Sequence, residues 1–379
     1  MLSVLAVDGY RSLRSLVLPL APLTVVTGAN GSGKSSLYRS LRLLAAASQD
    51  GAIGALAREG GLVSTLWAGT STALKGQPTS GGSRRPPVAL RMGVAGDDLG
   101  YSIEFGHPST ESRSFILDPE IKVEAVWNGP LLRPASLLTE RHGPTARVRT
   151  DDGWQRYEPT VPGWSSVLAE VADPRLAPEV YALRERMRRW RFYDHVRTDQ
   201  EAPARQARIA TRTPVVASDG ADLAAALQTI DEQGDSDALA AAVDRGLPGS
   251  RIEVRDSGGR FELHLRQPGL LRPLAASELS DGTLRYLLWV AALLSTRPAP
   301  LLVLNEPETS LHPALLEPLG ELIASATRHS QVIVVSHSDA LVASLPDALV
   351  HELEKTGEGE TRLVGQGMLD GPPWQWASR

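Results

Sequence analysis

The sequence predicts an α/β fold with a central sheet whose key strands run parallel. Three observations carry that expectation. Short, mostly apolar runs occur at Leu23–Thr27, Leu301–Leu304 and Val332–Val335. Such runs suit central strands covered on both faces. Each run passes straight into polar residues capable of chemistry: Gly28 onward, Asn305-Glu306 and Ser336-His337. In a parallel sheet such strand ends share one edge, where α/β ligand sites form. Finally, Leu37, Leu41 and Leu44 follow the first run at i, i+4 and i+7, the spacing of one helical face.

The turn between that first strand and helix reads Gly28-Ala29-Asn30-Gly31-Ser32-Gly33-Lys34-Ser35-Ser36. It fits G-x-x-x-x-G-K-[ST], the nucleotide phosphate loop. The glycines permit a tight turn and close approach to phosphate. Backbone N–H groups of the loop and the first helical turn then face the anion. Lys34 reaches the outer phosphates and Ser35 offers its hydroxyl to Mg²⁺. The whole stretch, Gly28 to Ser36, is therefore expected to bind nucleotide, and the string is supported by having both a strand before it and a helix after it.

Composition bounds the rest. A chain of 379 residues suits a core with a large insertion, or two domains. With 42% apolar residues it can bury a sizeable core. It has no Cys, which excludes disulfides, thiolate chemistry and Cys-ligated zinc and is compatible with a reducing compartment. Asp8 and Arg11 interrupt the N-terminal apolar run, so a strand is expected there rather than a leader. No uninterrupted apolar run of about 18 residues occurs, so neither a transmembrane helix nor a membrane partner is expected, and a cytoplasmic location is. The net charge of −5 gives no support to a globally basic nucleic-acid binder.

Along the chain, Leu2–Ala6 and Leu13–Leu18 read as antiparallel strands turning at Asp8-Gly9. The helix after Ser35 is expected to end near Gln49-Asp50-Gly51. Ala55–Gly61 is ambiguous, and Gly76–Pro87 reads as a long loop rich in Gly, Ser and Pro. Strand candidates follow at Val88–Val94, Tyr101–Phe105, Ile121–Trp127, Ala146–Thr150 and Trp154–Tyr157. Val180–Tyr193 reads as helical. It opens the one concentrated basic patch, with Arg184, Arg186, Arg188, Arg189, Arg191 and Arg197 interleaved with Trp190, Phe192 and Tyr193. The patch can touch a nucleic-acid backbone and stack on bases. Equally, its aromatics can anchor it to the core while the arginines stay solvated or pair with acids. Helices are expected at Ala221–Gln233 and Ser236–Val243, and a hairpin at Ile252–Val254 and Phe261–Leu265. Glu278 to Thr283 is a polar turn opening a strongly apolar helix, a second candidate anion site. A helix from Pro313 to Ala326, a last hairpin at Val350–Leu353 and Glu360–Val364, and a loose tail from Gly371 complete the reading. It divides the chain into residues 1–160, a mostly helical insertion at 161–250, and 251–379.

At this point the residues resemble the ABC-class ATPases related to RecF, SMC and the OLD nucleases, in particular stand-alone AAA-type ATPases with RecF/OLD-like motifs. The resemblance rests on G-A-N-G-S-G-K-S at 28–35, L-S-D-G-T at 279–283, L-L-V-L-N-E-P-E-T-S-L-H-P at 301–313 and V-V-S-H-S at 334–338, together with Gly9-Tyr-Arg-Ser-Leu13. It implies a P-loop NTPase fold of ABC head type: a mixed central sheet, antiparallel N-terminal strands and a helical insertion. It also implies an ATPase using ATP and Mg²⁺. Ser280, Asp281 and Gly282 become the signature turn that closes on ATP held by a second copy. Asn305 joins Ser35 on the metal side. Glu306 orients the attacking water, and His337 senses the terminal phosphate, so that Lys34, Glu306 and His337 form the catalytic set. Ser310 to His312 lie in a loop that crosses the dimer interface. Gln49 and Gln77 are both candidates for the glutamine loop.

The chain departs from the family pattern twice. Asn305 stands where the family has Asp, and Ser-Asp-Gly-Thr stands for Ser-Gly-Gly-Gln. The first weakens metal binding or slows turnover; the second sets an acid near a triphosphate, to the cost of ATP-driven pairing. Simpler roles stay open: Glu306 and Glu308 as helix caps, His312 as a turn cap, Ser338 and Asp339 as the cap of the next helix. The expected partners are a second copy, DNA, and a separate nuclease or effector, because about 40 residues after His337 leave no room for a Toprim domain. A switch in DNA repair or defence and a nucleotide-gated scaffold are the two leading readings. A small-molecule kinase and a transporter subunit rank behind them.

Overall fold

The computed structural model describes residues 1–67, 89–108, 117–194, 196–367 and 370–378. In chain order its elements are β1 (Leu2–Tyr10), β2 (Leu13–Pro19), β3 (Leu23–Gly28), α1 (Lys34–Ala47), α2 (Ala52–Arg58), α3 (Gly61–Thr65), β4 (Leu90–Gly96), β5 (Leu99–Gly106), β6 (Glu120–Asn128), β7 (Leu137–His142), β8 (Thr145–Thr150) and β9 (Gly153–Arg156). There follow α4 (Val167–Glu170), α5 (Pro178–Arg188), β10 (Arg191–Tyr193), β11 (Arg208–Ile209), α6 (Leu223–Gln233), α7 (Ser236–Gly246), β12 (Arg251–Asp256), β13 (Arg260–Arg266) and β14 (Leu274–Ala275). The last are α8 (Asp281–Leu293), β15 (Leu301–Asn305), α9 (Leu316–Ala326), β16 (Gln331–Val335), α10 (Asp339–Ala343), β17 (Leu349–Lys355) and β18 (Thr361–Leu363). The chain folds as two compact units interleaved in sequence. One comprises Met1–Ala21, Thr27–Trp190 and His351–Arg379, the other Pro22–Val26 and Arg191–Val350.

The first unit holds an eight-stranded sheet in the order β2-β1-β4-β5-β6-β7-β8-β9, antiparallel throughout. Every residue of β5 is buried. Where an aromatic ring packs close against a strand backbone, only glycine leaves room. A Cβ on Gly100 would stand 2.2 Å from the Trp127 ring, and one on Gly93 would stand 2.4 Å from the Trp374 ring. The first turn lies at Arg11-Ser12, not at Asp8-Gly9 as the sequence suggested, because the β1–β2 ladder continues to Tyr10↔Leu13. Arg11 accordingly takes a left-handed φ of 51°. A buried ion pair, Arg141 Nη1 to Glu124 Oε2 at 3.0 Å, spans β7 and β6 with both side chains fully excluded from solvent.

The tail expected to be loose is seated by two of its tryptophans. Trp374 meets Trp127 edge to face at a centroid distance of 5.7 Å, and Trp376 meets Trp374 at 5.2 Å. An aromatic pair of this kind is worth about 0.5–1.5 kcal/mol beyond the area it buries. Trp374→Ala therefore is expected to lower the stability of this unit by about 2 kcal/mol, read by urea denaturation. A midpoint unchanged from wild type would show that the tail contributes nothing.

The second unit carries the parallel strands. β10, β15, β16 and β3 lie side by side in that order, all parallel. With the antiparallel pair β17–β18, the sheet to which they belong is mixed. β15, β16 and the Leu23–Val26 stretch of β3 are buried up to their final residues. Helix α8 is almost wholly buried from Leu284 to Leu293 and packs with α6, α9 and the strands in one continuous apolar core. The hairpin β12–β13 forms as expected, with β11 and β14 added to β13.

The expected helix over Val180–Tyr193 is corrected. α5 ends at Arg188, and Arg191–Tyr193 is a strand paired with Leu302–Leu304. Trp190 and Tyr193 are 4% and 3% exposed, so the aromatics anchor the segment to the core. Arg186 pairs with Asp98, Arg188 with Glu185 and Arg197 with Asp199. The arrangement favours the anchoring reading of this patch over an open basic face. The Gly76–Pro87 loop and Gln77 lie outside the described residues.

Candidate functional site

In the first unit, Gly28, Gly31 and Gly33 all take positive φ, at 138°, 81° and 113°. L side chains rarely adopt that region, and at Gly28 and Gly33 space excludes them too. A Cβ on Gly28 would lie 2.2 Å from the Leu353 carbonyl oxygen, and one on Gly33 would lie 2.4 Å from Thr361 Oγ1. Ala29, Asn30, Gly31 and Ser35 are exposed, while Ser32 and Lys34 are buried and Ser36 is half-buried. Gly33 precedes α1, which opens at Lys34 with no side-chain cap, so its first N–H groups are left for a ligand. Lys34 Nζ donates to the Gly28 carbonyl at 2.5 Å and to that of Ala29 at 3.1 Å. The loop thus holds its own ammonium inside the turn. Ser32 Oγ is buried with no protein partner. Thr361 Oγ1 donates to the Ser32 carbonyl at 2.7 Å and fixes the loop from β18.

In the second unit, the register sets three strand ends level. Val26 lies opposite Val335, and Val335 opposite Asn305. Thr27-Gly28 continues covalently from the first of these ends. Glu306 follows the second, with its N–H donating to the Val335 carbonyl at 2.8 Å and a left-handed φ of 49°. Its side chain remains 37% exposed. Glu308 is different: it is 8% exposed, and its Oε1 accepts from Ser336 Oγ at 2.7 Å and from the His337 N–H at 2.9 Å. His337 Nδ1 stands 3.3 Å from Glu308 Oε1 and 3.9 Å from Glu306 Oε1. Two carboxylates and an imidazole therefore meet at one sheet edge, the inner acid holding the histidine's backbone and the outer one open to solvent.

Asn305 Nδ2 donates to Asp194 Oδ1 at 2.9 Å. Asp194 was not singled out from the sequence, where only its position one residue after an unrecognised strand marks it. Among the described residues, no group of three His, Cys, Asp or Glu side chains could hold a metal by itself.

The turn at 280–282 opens α8. Ser280 Oγ accepts from the Thr283 N–H at 3.1 Å and caps the helix. Asp281 pairs with Arg205 Nη2 at 2.7 Å. Arg205 is itself buried and also donates to the Leu279 carbonyl at 2.7 Å, so the charge expected to repel a triphosphate is met by a fixed cation. Gly282 leaves room for the 310–312 loop: a Cβ there would be 3.0 Å from the Ser310 carbonyl oxygen. Arg285 Nη1 donates to the Thr309 carbonyl and Trp289 Nε1 to that of Pro307, tying α8 to the same loop. His312 caps the short turn at Pro313–Leu315, and Ser338 caps α10. Gln49 is exposed just beyond α1.

A phosphate loop between β3 and α1, together with an acid-bearing strand and a histidine-bearing strand beside β3, defines a P-loop NTPase with an ABC-type head. The model of the family described as "AAA domain, putative AbiEii toxin, Type IV TA system" matches residues 23–125 and 163–343, and the chain belongs to that family. Solved structures agree on the fold. The SmcHead bound to the C-winged helix domain of ScpA is 15% identical, with a TM-score of 0.53 over 97% of this chain and 98% of that one. The Smc head domain with an extended coiled coil, bound to the C-terminal domain of ScpA derived from Pyrococcus furiosus, is 13% identical, with a TM-score of 0.51 over 96% and 95%. No curated protein matches the chain. Family and fold are those of nucleotide-binding ATPases. No helix among the described residues is long and apolar enough to cross a membrane.

Proposed function

We propose that this chain is an ATP-binding and ATP-hydrolysing head that pairs with a second copy when ATP is bound, and that it serves as a cytoplasmic switch in DNA repair or in defence against foreign DNA. The observation that carries the reading is the level register of Val26, Asn305 and Val335, which ends three parallel strands together just before the phosphate loop, Glu306 and His337.

The residues fit Mg²⁺ bound together with a triphosphate. Ser35 stands exposed at the start of α1, and Asn305 Oδ1 is a buried oxygen without a protein partner. When bound, Mg²⁺ supplies positive charge to the phosphates. The chain's own residues supply the rest. Lys34 exchanges the Gly28 and Ala29 carbonyls for phosphate oxygens. The uncapped N–H groups of the first turn of α1 face the same anion. Glu306, exposed on a fixed backbone, orients water for in-line attack, and catalysis is positioning and charge stabilisation throughout. His337, held by Glu308, faces the terminal phosphate. Ser280, Asp281 and Gly282 of a second copy complete the site, with Arg205 offsetting the Asp281 charge. A separate nuclease or effector protein would read the paired state; the similar Smc heads, each bound to a ScpA domain, support such docking.

Phosphate release measured at several protein concentrations with Mg²⁺ and ATP tests the proposal, with Lys34→Ala as the control. Activity per subunit that rises with concentration and disappears in Lys34→Ala is expected, and DNA is then the next additive. Tight ATP binding with release no greater than that of Lys34→Ala would favour the second reading, a nucleotide-gated scaffold with little turnover. Asn305 in place of a carboxylate is the observation that keeps that reading in view.

A further inference from the structure

We propose that Asp194 completes the metal side of this site: it restores the charge that Asn305 lacks and holds the Asn305 amide so that its carbonyl oxygen serves the metal. The inference rests on the ATP reading above and deepens it.

The placement follows from the sheet. β10 and β15 are parallel, with Tyr193 opposite Leu304, so the next residues, Asp194 and Asn305, leave the sheet side by side. Only the NH₂ group of an Asn side chain can face a carboxylate, because the carbonyl oxygen is an acceptor. The 2.9 Å bond from Asn305 Nδ2 to Asp194 Oδ1 therefore fixes the amide in one sense and turns Oδ1 the other way. There Oδ1 is buried and has no protein partner. A buried carbonyl left so is unfavourable, so the position calls for a ligand that the chain does not provide. A hydrated or bare divalent cation is the ligand that chemistry and place both suit.

The electrostatics agree. An Asn alone gives the position a dipole and no charge. Asn and Asp together carry one negative charge, as a single Asp would. Donation to a carboxylate also polarises the amide and makes Oδ1 a better oxygen donor, since linked hydrogen bonds strengthen one another. Residues that hold metal ligands in this way tune affinity as well as geometry. Asp194 is thus a positioning residue, acting through Asn305.

Binding of a fluorescent ATP analogue to the full chain, titrated with Mg²⁺ and repeated in EDTA, separates this role from a merely structural one. Asp194→Asn is expected to raise the Mg²⁺ needed for half-maximal enhancement by about tenfold or more, with binding in EDTA unchanged. The exchange Asp194→Asn with Asn305→Asp keeps one amide, one acid and the bond between them, and it is expected to return the Mg²⁺ requirement to near wild type. Unchanged Mg²⁺ dependence in Asp194→Asn, equal loss in EDTA, or an exchange variant that stays defective would each overturn the proposal. Wild-type protein that binds the analogue equally with and without Mg²⁺ would overturn it while leaving ATP binding intact. Wild-type protein that binds in neither condition would overturn both.

Discussion

Glu306→Gln is expected to lower the rate of phosphate release by about 10²–10³-fold while leaving nucleotide affinity nearly unchanged. The two acids after β15 make the expectation specific. Glu308 is buried and spends Oε1 on Ser336 and on the His337 backbone, so its task is to hold the strand ends together. Glu306 has no such bonds, is 37% exposed and stands beside His337. Its backbone is held in a left-handed conformation, unusual for a residue with a side chain, and the bond from its N–H to Val335 keeps it there. Such conformations cost about 1–3 kcal/mol and collect at functional sites. Glutamine keeps the shape and removes the charge, so a loss in rate without a loss in binding assigns the carboxylate to the attacking water. Turnover of Glu306→Gln equal to wild type would remove Glu306 from the chemistry and leave Glu308 and His337 to account for it.

Arg141→Met is expected to destabilise the first unit by about 3–5 kcal/mol, read by denaturant unfolding. Both ions of the Arg141–Glu124 pair are fully buried. Arg141 also donates to the carbonyls of Gly143 at 2.6 Å and Pro162 at 2.7 Å, and to that of Ser165. Glu124 in turn accepts from Tyr101 Oη at 2.7 Å, Ser166 Oγ at 2.5 Å and the Val167 N–H at 3.0 Å. Burial, and then the Glu124 charge, push the Tyr101 hydroxyl well above its usual range, which keeps it a donor. Removing the guanidinium leaves an uncompensated buried carboxylate and three carbonyls without their donor. Loss of less than about 1 kcal/mol would mean that water or a neighbour replaces the arginine, and that the network is not what joins the 162–167 segment to the sheet.

What the sequence disclosed was local. A phosphate loop is written in consecutive residues, and buried parallel strands are legible as apolar runs, so Gly28–Ser36, Asn305-Glu306 and Ser336-His337 could all be placed at strand ends. Pairing across the chain could not. β10 is three residues long and follows a helix without a break in hydrophobicity, so it read as more helix; its aromatic side chains were the available hint of strand. With β10 unseen, Asp194 had no reason to stand near Asn305. Arg205 with Asp281, and Thr361 with Ser32, join residues 76 and 329 positions apart, and nothing in either neighbourhood announces the other. The tail was misjudged for another reason. Gly371-Pro-Pro suggested irregularity, which is true of its backbone, but Trp374 and Trp376 carried enough apolar surface to seat it.

The interleaving of the two units bears on how the chain is made. Residues 23–26 of β3 leave the ribosome early, yet their neighbour β16 begins at Gln331. At about 5–20 residues per second, the strand that leads into the phosphate loop waits on the order of 15–60 s for that neighbour. During that interval an apolar segment with open hydrogen-bonding groups is available to any passing chain. Overexpression at high temperature is where this delay would tell, as inclusion bodies formed from nascent protein.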